Sequence, residues 1–388
     1  MRTRTVSYVI VNNLGGITSL IQNLIKFGKQ QRLNQELVLL DIAGNNNAPA
    51  NIEEIEGLAV RRFSIHSRHN WYTVYKGLSS LLGQSEGVLV SNDAYDLIML
   101  THYNIPKKVV QIVHDAYNVK LSIQFEEVVD AFICHSHFYY ETLCQLLHHR
   151  KADIFHLPYG IPLSGQPRRS RLQEGPLKLL FLGRHDKNKG VFDLHDINKA
   201  LQKRKIDVSW LILGMGPETE ALQRQWQDQR NVKFLTPATN EEVRALAADC
   251  DVFVFPTRFE GFPVALVETM SAGCVPVASD LPGGIRELIE PDVTGFRTPL
   301  QDIGAMTQAI EKLHNHRQLL EDMSKKCYDK IYAGYNAQYQ SPKYQELFLE
   351  VAERTTAPRH HEVKKKLGSR LDHPLLPNFI VRILRKSI

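Results

Sequence analysis

The strongest constraint on this chain is its rhythm. Short β-branched runs alternate with amphipathic stretches along almost the whole length, which is the pattern of parallel α/β folding. A buried strand is expected over 6–11. Gly15-Gly16 then opens a helix whose Ile17, Leu20, Ile21, Leu24 and Ile25 recur at helical spacing. Further strands are expected over 37–42, 59–63, 87–90, 109–114, 131–134 and 153–156. Pro158-Tyr159-Gly160-Ile161-Pro162 and the polar stretch 164–176, with Arg168, Arg169 and Arg171, then interrupt the series. Turn formers and solvated charge together read as a linker. A second series starts afresh with strands over 177–182, 208–213, 232–235, 252–255 and 275–278, followed by helices at 301–314 and 317–332.

A chain of 388 residues is too long for one ordinary core. The expected architecture is therefore α/β. Two Rossmann-like, doubly wound parallel-sheet domains, 1–165 and 166–335, would face one another across a cleft, with helices of 336–388 packing back on the first.

Composition narrows the function classes. Apolar residues at 43% and charged residues at 23% supply two buried cores and an ordinary solvated surface. A formal net charge of +5 suits an anionic small ligand, and no basic stretch with interleaved aromatics in the body of the chain points to nucleic acid. Five cysteines without short spacings give neither a zinc cluster nor a disulfide framework, so a reducing compartment is expected. The short run after Met1 ends too soon in Asn12-Asn13 for a signal peptide, and no run of about 18 apolar residues would span a bilayer. The expected location is cytoplasmic. The tail from Arg359 differs from the rest. It holds eight Lys/Arg against Glu362 and Asp372, and ends in a basic amphipathic stretch, 379–386. That stretch is compatible with an anionic membrane surface, and equally with a helix packing its apolar side on the first domain.

The densest chemistry lies in 255–268. A strand ends near Pro256, a loop follows, and Pro263 stands where the first turn of a helix tolerates it. The N–H groups of Phe262, Val264 and Ala265 would be unpaired at that helix start, a site for phosphate or sugar hydroxyls. Glu260 in the loop and Glu268 inside the helix bracket it. Their spacing does not make a close carboxylate pair of the glycosidase kind, and suits instead two ends of an elongated ligand. The plainer reading is a capping Glu260 and a solvated Glu268.

This segment resembles the group 1, or family 4, retaining glycosyltransferases of the GT-B fold. Their Glu-x7-Glu signature is matched by Glu260 and Glu268, with Gly261-Phe262-Pro263-Val264 between. Ala272-Gly273-Cys274-Val275-Pro276, Gly283-Gly284-Ile285, Glu287 and Thr294-Gly295-Phe296 fit as well, and the resemblance runs to about residue 355. It implies that Glu260 and the following amides contact a donor sugar, and that Glu268 holds the ribose of a nucleoside diphosphate. Phe181-Leu182-Gly183-Arg184, five residues before Lys189-Gly190, resembles the family's Gly-Arg…Lys-Gly pattern. Arg184 and Lys189 then inherit the role of stabilising the departing diphosphate, the work a metal does elsewhere. Gly214-Met215-Gly216-Pro217 resembles the Gly-x-Gly beside the nucleotide.

In the first domain, Gly15 and Gly16 follow a strand without forming a dinucleotide fingerprint, and the resemblance places them at the donor. His114 closes a strand and would sit against the donor sugar. Asp115 would orient it or help bind acceptor, and Ser136 matches a recurrent serine that can also cap a helix. His66 to Trp71 reads equally as an acceptor-pocket lining and as a polar surface loop. Asp249-Cys250-Asp251 reads as structural. Tyr159 stands where the family has Asn, Pro162 where it has an acid, and Thr236-Pro237-Ala238 where a glycine turn is common.

The expected function is transfer of a sugar from a nucleoside diphosphate to an acceptor hydroxyl with retention, in surface polysaccharide or glycolipid synthesis. The acceptor would be a sugar, a lipid-linked sugar or a glycan. No metal or other cofactor is expected, and UDP- and GDP-linked donors are not distinguished. The alternatives are a sugar-nucleotide epimerase of the same shape and a catalytically idle nucleotide-sugar-binding protein. A nicotinamide oxidoreductase would need a glycine fingerprint that is missing.

Overall fold

The computed structural model describes residues 4–28, 32–44, 49–50, 52–163, 170–172, 175–237, 239–355 and 369–385. The chain divides into two compact units. The first comprises 1–135, 139–160 and 337–388, and the second 136–138 and 161–336.

The first unit holds β1 (Arg4–Val11), α1 (Gly16–Phe27), β2 (Leu33–Ile42), β3 (Glu54–Ile55), β4 (Leu58–Ile65), α2 (Trp71–Leu82), β5 (Gly87–Ser91) and α3 (Ala94–Leu100). It continues with β6 (Lys107–Val113), α4 (Ala116–Gln124), β7 (Ala131–Cys134), α5 (His137–Leu146) and β8 (Ile154–His156). The sheet order is β3-β4-β2-β1-β5-β6-β7-β8, parallel except for the short β3–β4 pair. Val6, Tyr8, Val9 and Ile10 of β1 are all buried, because a central parallel strand is covered on both faces. The sequence pattern missed only β3 in this sheet, two residues long.

The second unit holds β9 (Leu177–Leu182), α6 (Asp193–Lys203), β10 (Val208–Leu213), α7 (Thr219–Gln225), β11 (Val232–Leu235), α8 (Asn240–Ala248) and β12 (Val252–Phe255). It continues with α9 (Val264–Ser271), β13 (Val275–Ser279), α10 (Gly284–Leu288), β14 (Phe296–Thr298), α11 (Ile303–Asn315) and α12 (Arg317–Gly334). Its all-parallel order is β11-β10-β9-β12-β13-β14. Both parallel sheets expected from the alternation are present. In each, strand order reverses beside the first strand, at β1/β5 and at β9/β12. Open α/β sheets bind ligands at the carboxyl ends of such switch points.

One reading of the 164–176 stretch is corrected. Arg168 and Arg169 lie outside the described residues, but Arg171 is not solvated linker charge. It is fully buried in the second unit, donating to Ala248 O at 3.0 Å and Ala272 O at 2.8 Å, with Asp251 Oδ1 3.6 Å away. Asp251 also accepts from the Lys178 N–H at 2.9 Å, so Asp249-Cys250-Asp251 ties strands together.

After α12 the chain returns to the first unit. There α13 (Ala337–Glu353) packs on α1, and α14 (Asn378–Leu384) follows. The His66–Trp71 loop receives this tail: Asn70 caps α2 and donates to His373 O at 2.8 Å and Leu376 O at 2.6 Å. Arg385 donates to Asp372 at 2.8 Å. Val381 is buried, whereas Leu375, Phe379, Ile383 and Leu384 are exposed, so α14 does not pack its apolar side on the first unit as a whole. Lys364, Lys365, Lys366 and Lys386 lie outside the described residues. Among the described residues, no helix is long and apolar enough to cross a membrane.

Candidate functional site

In the second unit the chemistry collects where β9 and β12 end. Two loops meet there because Gly190 takes a left-handed conformation (φ 68°), and a Cβ on it would lie 2.1 Å from Pro256 O. Only glycine lets the 187–190 turn come this close to the strand end. The loops are then zipped together. Arg258 N–H donates to Asn188 O at 2.7 Å, and the Arg258 guanidinium reaches Lys187 O at 3.2 Å and Asp193 at 3.0 Å.

This zipper places Lys189 against Glu260, and the two form a direct ion pair. Their side chains are 27% and 11% exposed, so the pair is partly removed from water. Burial pushes the Glu260 carboxyl upward, and the Lys189 ammonium opposes the shift. Lys189 stands at the end of a short 3-10 turn, Lys187–Lys189, and not at the start of α6. Arg184 behaves differently. Its side chain is 53% exposed and only 4.0 Å from Asp186, so the two cations are not equally fixed.

At α9 the expectation needs correcting. Pro263 is the N-cap and not a first-turn residue. The Val264 N–H is not left open: it turns back on Phe262 O at 3.0 Å, while the Leu266 and Val267 N–H groups bond Pro263 O. Gly261 is half-buried in the loop before this turn. Gly284 is required behind it, because a Cβ there would meet Pro263 Cδ at 2.4 Å. Glu268 is neither a solvated charge nor a cap. It is 8% exposed within α9, and burial pushes its carboxyl up to about 7, opposed by Arg244 of α8.

Gly214 has a structural reason to be glycine. At φ 128° a Cβ would lie 2.0 Å from Gly183 O, and one on Gly216 would meet His185 O at 2.4 Å. Thr236 Oγ1 donates to Gly214 O at 3.3 Å, and Ala238 lies outside the described residues. His185 was not singled out from the sequence. It is buried, its Nδ1 lies 3.0 Å from Thr219 Oγ1, and burial lowers its pKa to about 4.

In the first unit, the ends of β1, β5 and β6 carry the remaining candidates. Gly15 precedes α1 in an extended conformation, and a Cβ added there would have nothing within 4 Å, so neither strain nor packing within the chain demands glycine. Gly16 O accepts from the buried Tyr159 hydroxyl at 3.1 Å. His114 lies just past β6. Its Nε2 is 2.9 Å from Asn92 Oδ1, and its ring lies 5.2 Å from that of His135. Burial, and then His135, hold its pKa well below the ordinary range, which favours the neutral ring. Asp115 does not orient His114. Its Oδ1 caps α4, accepting from Tyr117 N at 2.9 Å and Asn118 N at 3.0 Å. Orientation comes from Asn92 and Asn118, which carried no sequence signal because a lone Asn after a strand is common turn chemistry. Ser136, which belongs to the second unit, is fully buried directly before α5.

Residues 165–330 match the family described as glycosyl transferases, group 1. The second unit carries a group 1 glycosyltransferase domain. Glycosyltransferases are also what the chain is similar to elsewhere. A protein named as a candidate colanic acid biosynthesis glycosyltransferase, WcaL of Escherichia coli K12, is 30% identical over 182 residues, covering 44% of this chain and 45% of that protein. The phosphatidyl-myo-inositol mannosyltransferase of Mycolicibacterium smegmatis is 33% identical over 197 residues, covering 48% of this chain and 46% of that protein. These alignments thus span about half the length of the relatives. Anabaena HepE, solved with UDP and glucose, superposes with a TM-score of 0.74 at 15% identity, covering 89% of this chain and all of that one. The glycosyltransferase domain therefore stands in a GT-B fold, and the Lys189–Glu260 pair lies inside the matched region.

Proposed function

We propose that this protein is a retaining glycosyltransferase that moves a sugar from a nucleoside diphosphate to an acceptor hydroxyl in surface polysaccharide or glycolipid synthesis. The observation that carries the reading is the Lys189–Glu260 pair at the β9/β12 switch point, with the buried Glu268 one helix away. A buried carboxylate whose cation sits beside it can exchange that partner for sugar hydroxyls when a phosphate claims the ammonium. Arg184, exposed and loosely held, is free to close on the diphosphate. Together Lys189 and Arg184 would neutralise the charge that develops as the glycosidic C–O bond breaks, without a metal. The acceptor oxygen would bond the anomeric carbon from the face the diphosphate leaves, its proton passing to the leaving phosphate oxygen. Glu268 would take the ribose hydroxyls.

The test is a thermal-shift screen against UDP-, GDP- and ADP-sugars. A donor at about 100-fold over its Kd stabilises by about 2.7 kcal/mol, a clear rise in Tm. No rise with any nucleotide sugar would overturn the reading. Release of free nucleoside diphosphate only when acceptor is present separates transfer from epimerisation and from idle binding.

The tail supports cytoplasmic-face contact with an anionic membrane, where a lipid-linked acceptor would lie. The exposed Leu375, Phe379 and Ile383 recur four residues apart beside Arg382, on a segment held down by Asn70 and Asp372. In vesicle co-sedimentation, the full chain is expected to bind phosphatidylglycerol-containing vesicles. The F379D/I383D variant is expected to lose that binding. Equal binding by both, or none by the parent chain, would reject the contact.

A further inference from the structure

The end of β5 builds a hydrogen-bond frame around His114. Asn92 Nδ2 donates to Val9 O at 3.2 Å and to Val90 O at 3.4 Å, and carbonyls can only accept. The amide end facing His114 is therefore the oxygen, 2.9 Å from Nε2. A neutral imidazole facing an acceptor through Nε2 must carry its proton there. The backbone is fixed as well. The His114 N–H donates to Asn118 Oδ1 at 3.2 Å, and Asn118 Nδ2 donates to Asn92 O at 3.3 Å. Both asparagines are buried, so this frame does not exchange freely with water. Among the described residues, neither hydrogen bond of His114 uses Nδ1, and the residue is half-buried.

Burial first, and then His135, favour the neutral form of the ring. His135 faces it from the end of β7 and is itself held by the Tyr344 hydroxyl at 3.0 Å and by Leu157 O. Asp115 adjoins His114 in sequence, but its Oδ1 is engaged at the start of α4. Asp93 adjoins Asn92 and accepts from Ala94 N at 2.6 Å. Among the described residues, no carboxylate hydrogen-bonds the His114 ring.

We propose that Asn92 is a positioning residue that locks His114 as its Nε2–H tautomer, so that Nδ1 presents a lone pair to a hydroxyl of a substrate bound at the ends of β5 and β6. His114 then accepts a hydrogen bond and supplies no proton. The substrate contact rests on the transfer reaction proposed above, whereas the tautomer does not.

The first experiment is a two-bond ¹H–¹⁵N correlation spectrum of the full chain labelled at histidine, near pH 7 and without substrate, with His114 assigned by its loss in H114N. The Nε2–H pattern is expected. An Nδ1–H or imidazolium pattern would overturn the tautomer assignment. The second compares variants. Asparagine places an amide oxygen near the position of Nδ1, and glutamine places one near Nε2. H114N is therefore expected to keep about tenfold more turnover than H114Q, the worth of one hydrogen bond. N92L is expected to lose about tenfold in kcat and to show mixed tautomers. H114Q equal to or better than H114N would overturn the Nδ1 role. If the parent chain transfers no sugar from any donor, the transfer reading fails while the spectrum still decides the tautomer.

Discussion

Lys189→Met is expected to lower kcat about 10²–10³-fold, the usual loss when one fixed electrostatic donor is taken from a transition state. The same substitution strands Glu260, whose carboxyl is 11% exposed and loses the Lys189 ammonium that offsets its burial. Removing one member of a buried pair typically destabilises by about 3–5 kcal/mol, and this pair is partly solvated, so a loss toward the lower end is expected. Glu260→Gln in the same chain removes the stranded charge. The K189M/E260Q double variant should therefore recover most of the stability and none of the turnover. Urea unfolding and steady-state turnover on the two single variants and the double complete the cycle. A double variant no more stable than K189M would show that the pair is not a stability element, and K189M with full turnover that it is not part of the site.

Glu268→Gln is expected to stabilise the unliganded protein at pH 8 and to leave it unchanged near pH 4. The folded carboxyl keeps its proton up to about 7, against an ordinary value of 4.5. Between those values the folded state binds more protons than the unfolded chain, so the contribution of Glu268 to stability falls as pH rises through that window. The full shift corresponds to about 3 kcal/mol, the most that glutamine can restore. Nucleotide binding should move the other way. Ribose hydroxyls donate to the charged form, so donor affinity of the parent chain should weaken as pH falls through 7, and E268Q should bind weakly throughout. Melting temperatures at pH 5 and pH 8 test the first part, and titration of a nucleoside diphosphate the second. An equal Tm difference between parent and variant at both pH values would dismiss the buried-carboxyl account.

These two carboxylates show how far the residues could be read in order. Glu260 and Glu268 were recognisable because a strand end, a loop and a helix start follow one another within a few residues, and local pattern carries that information. What surrounds each carboxylate was not legible. Eight residues of sequence do not say that Glu268 feels the charge of Arg244 on another helix, nor that Glu260 meets Lys189, 71 positions earlier. The same holds for Arg171. Its neighbours Arg168 and Arg169 make it look like solvated linker charge, and only the fold shows Ala248 O and Ala272 O waiting for it. The orienting role of Asp115 is the opposite case. Its position beside His114 suggested an orienting role, yet helix capping claims its oxygen first, because Tyr117 and Asn118 N–H groups are otherwise unpaired.

By itself the sequence determined the two parallel sheets, since alternation of period-two and helical runs is written residue by residue. It also determined the strand–loop–helix segment that carries Glu260 and Glu268, which is continuous in the chain. Tertiary structure alone decided the pairings: Lys189 with Glu260, Asn92 with His114, and the tail with Asn70. The physical reason is that a hydrogen bond or ion pair depends on distance and desolvation, and both are set by which strand ends the sheet order brings together. Lys189 reaches Glu260 because β9 and β12 are neighbours and Gly190 lets their loops touch.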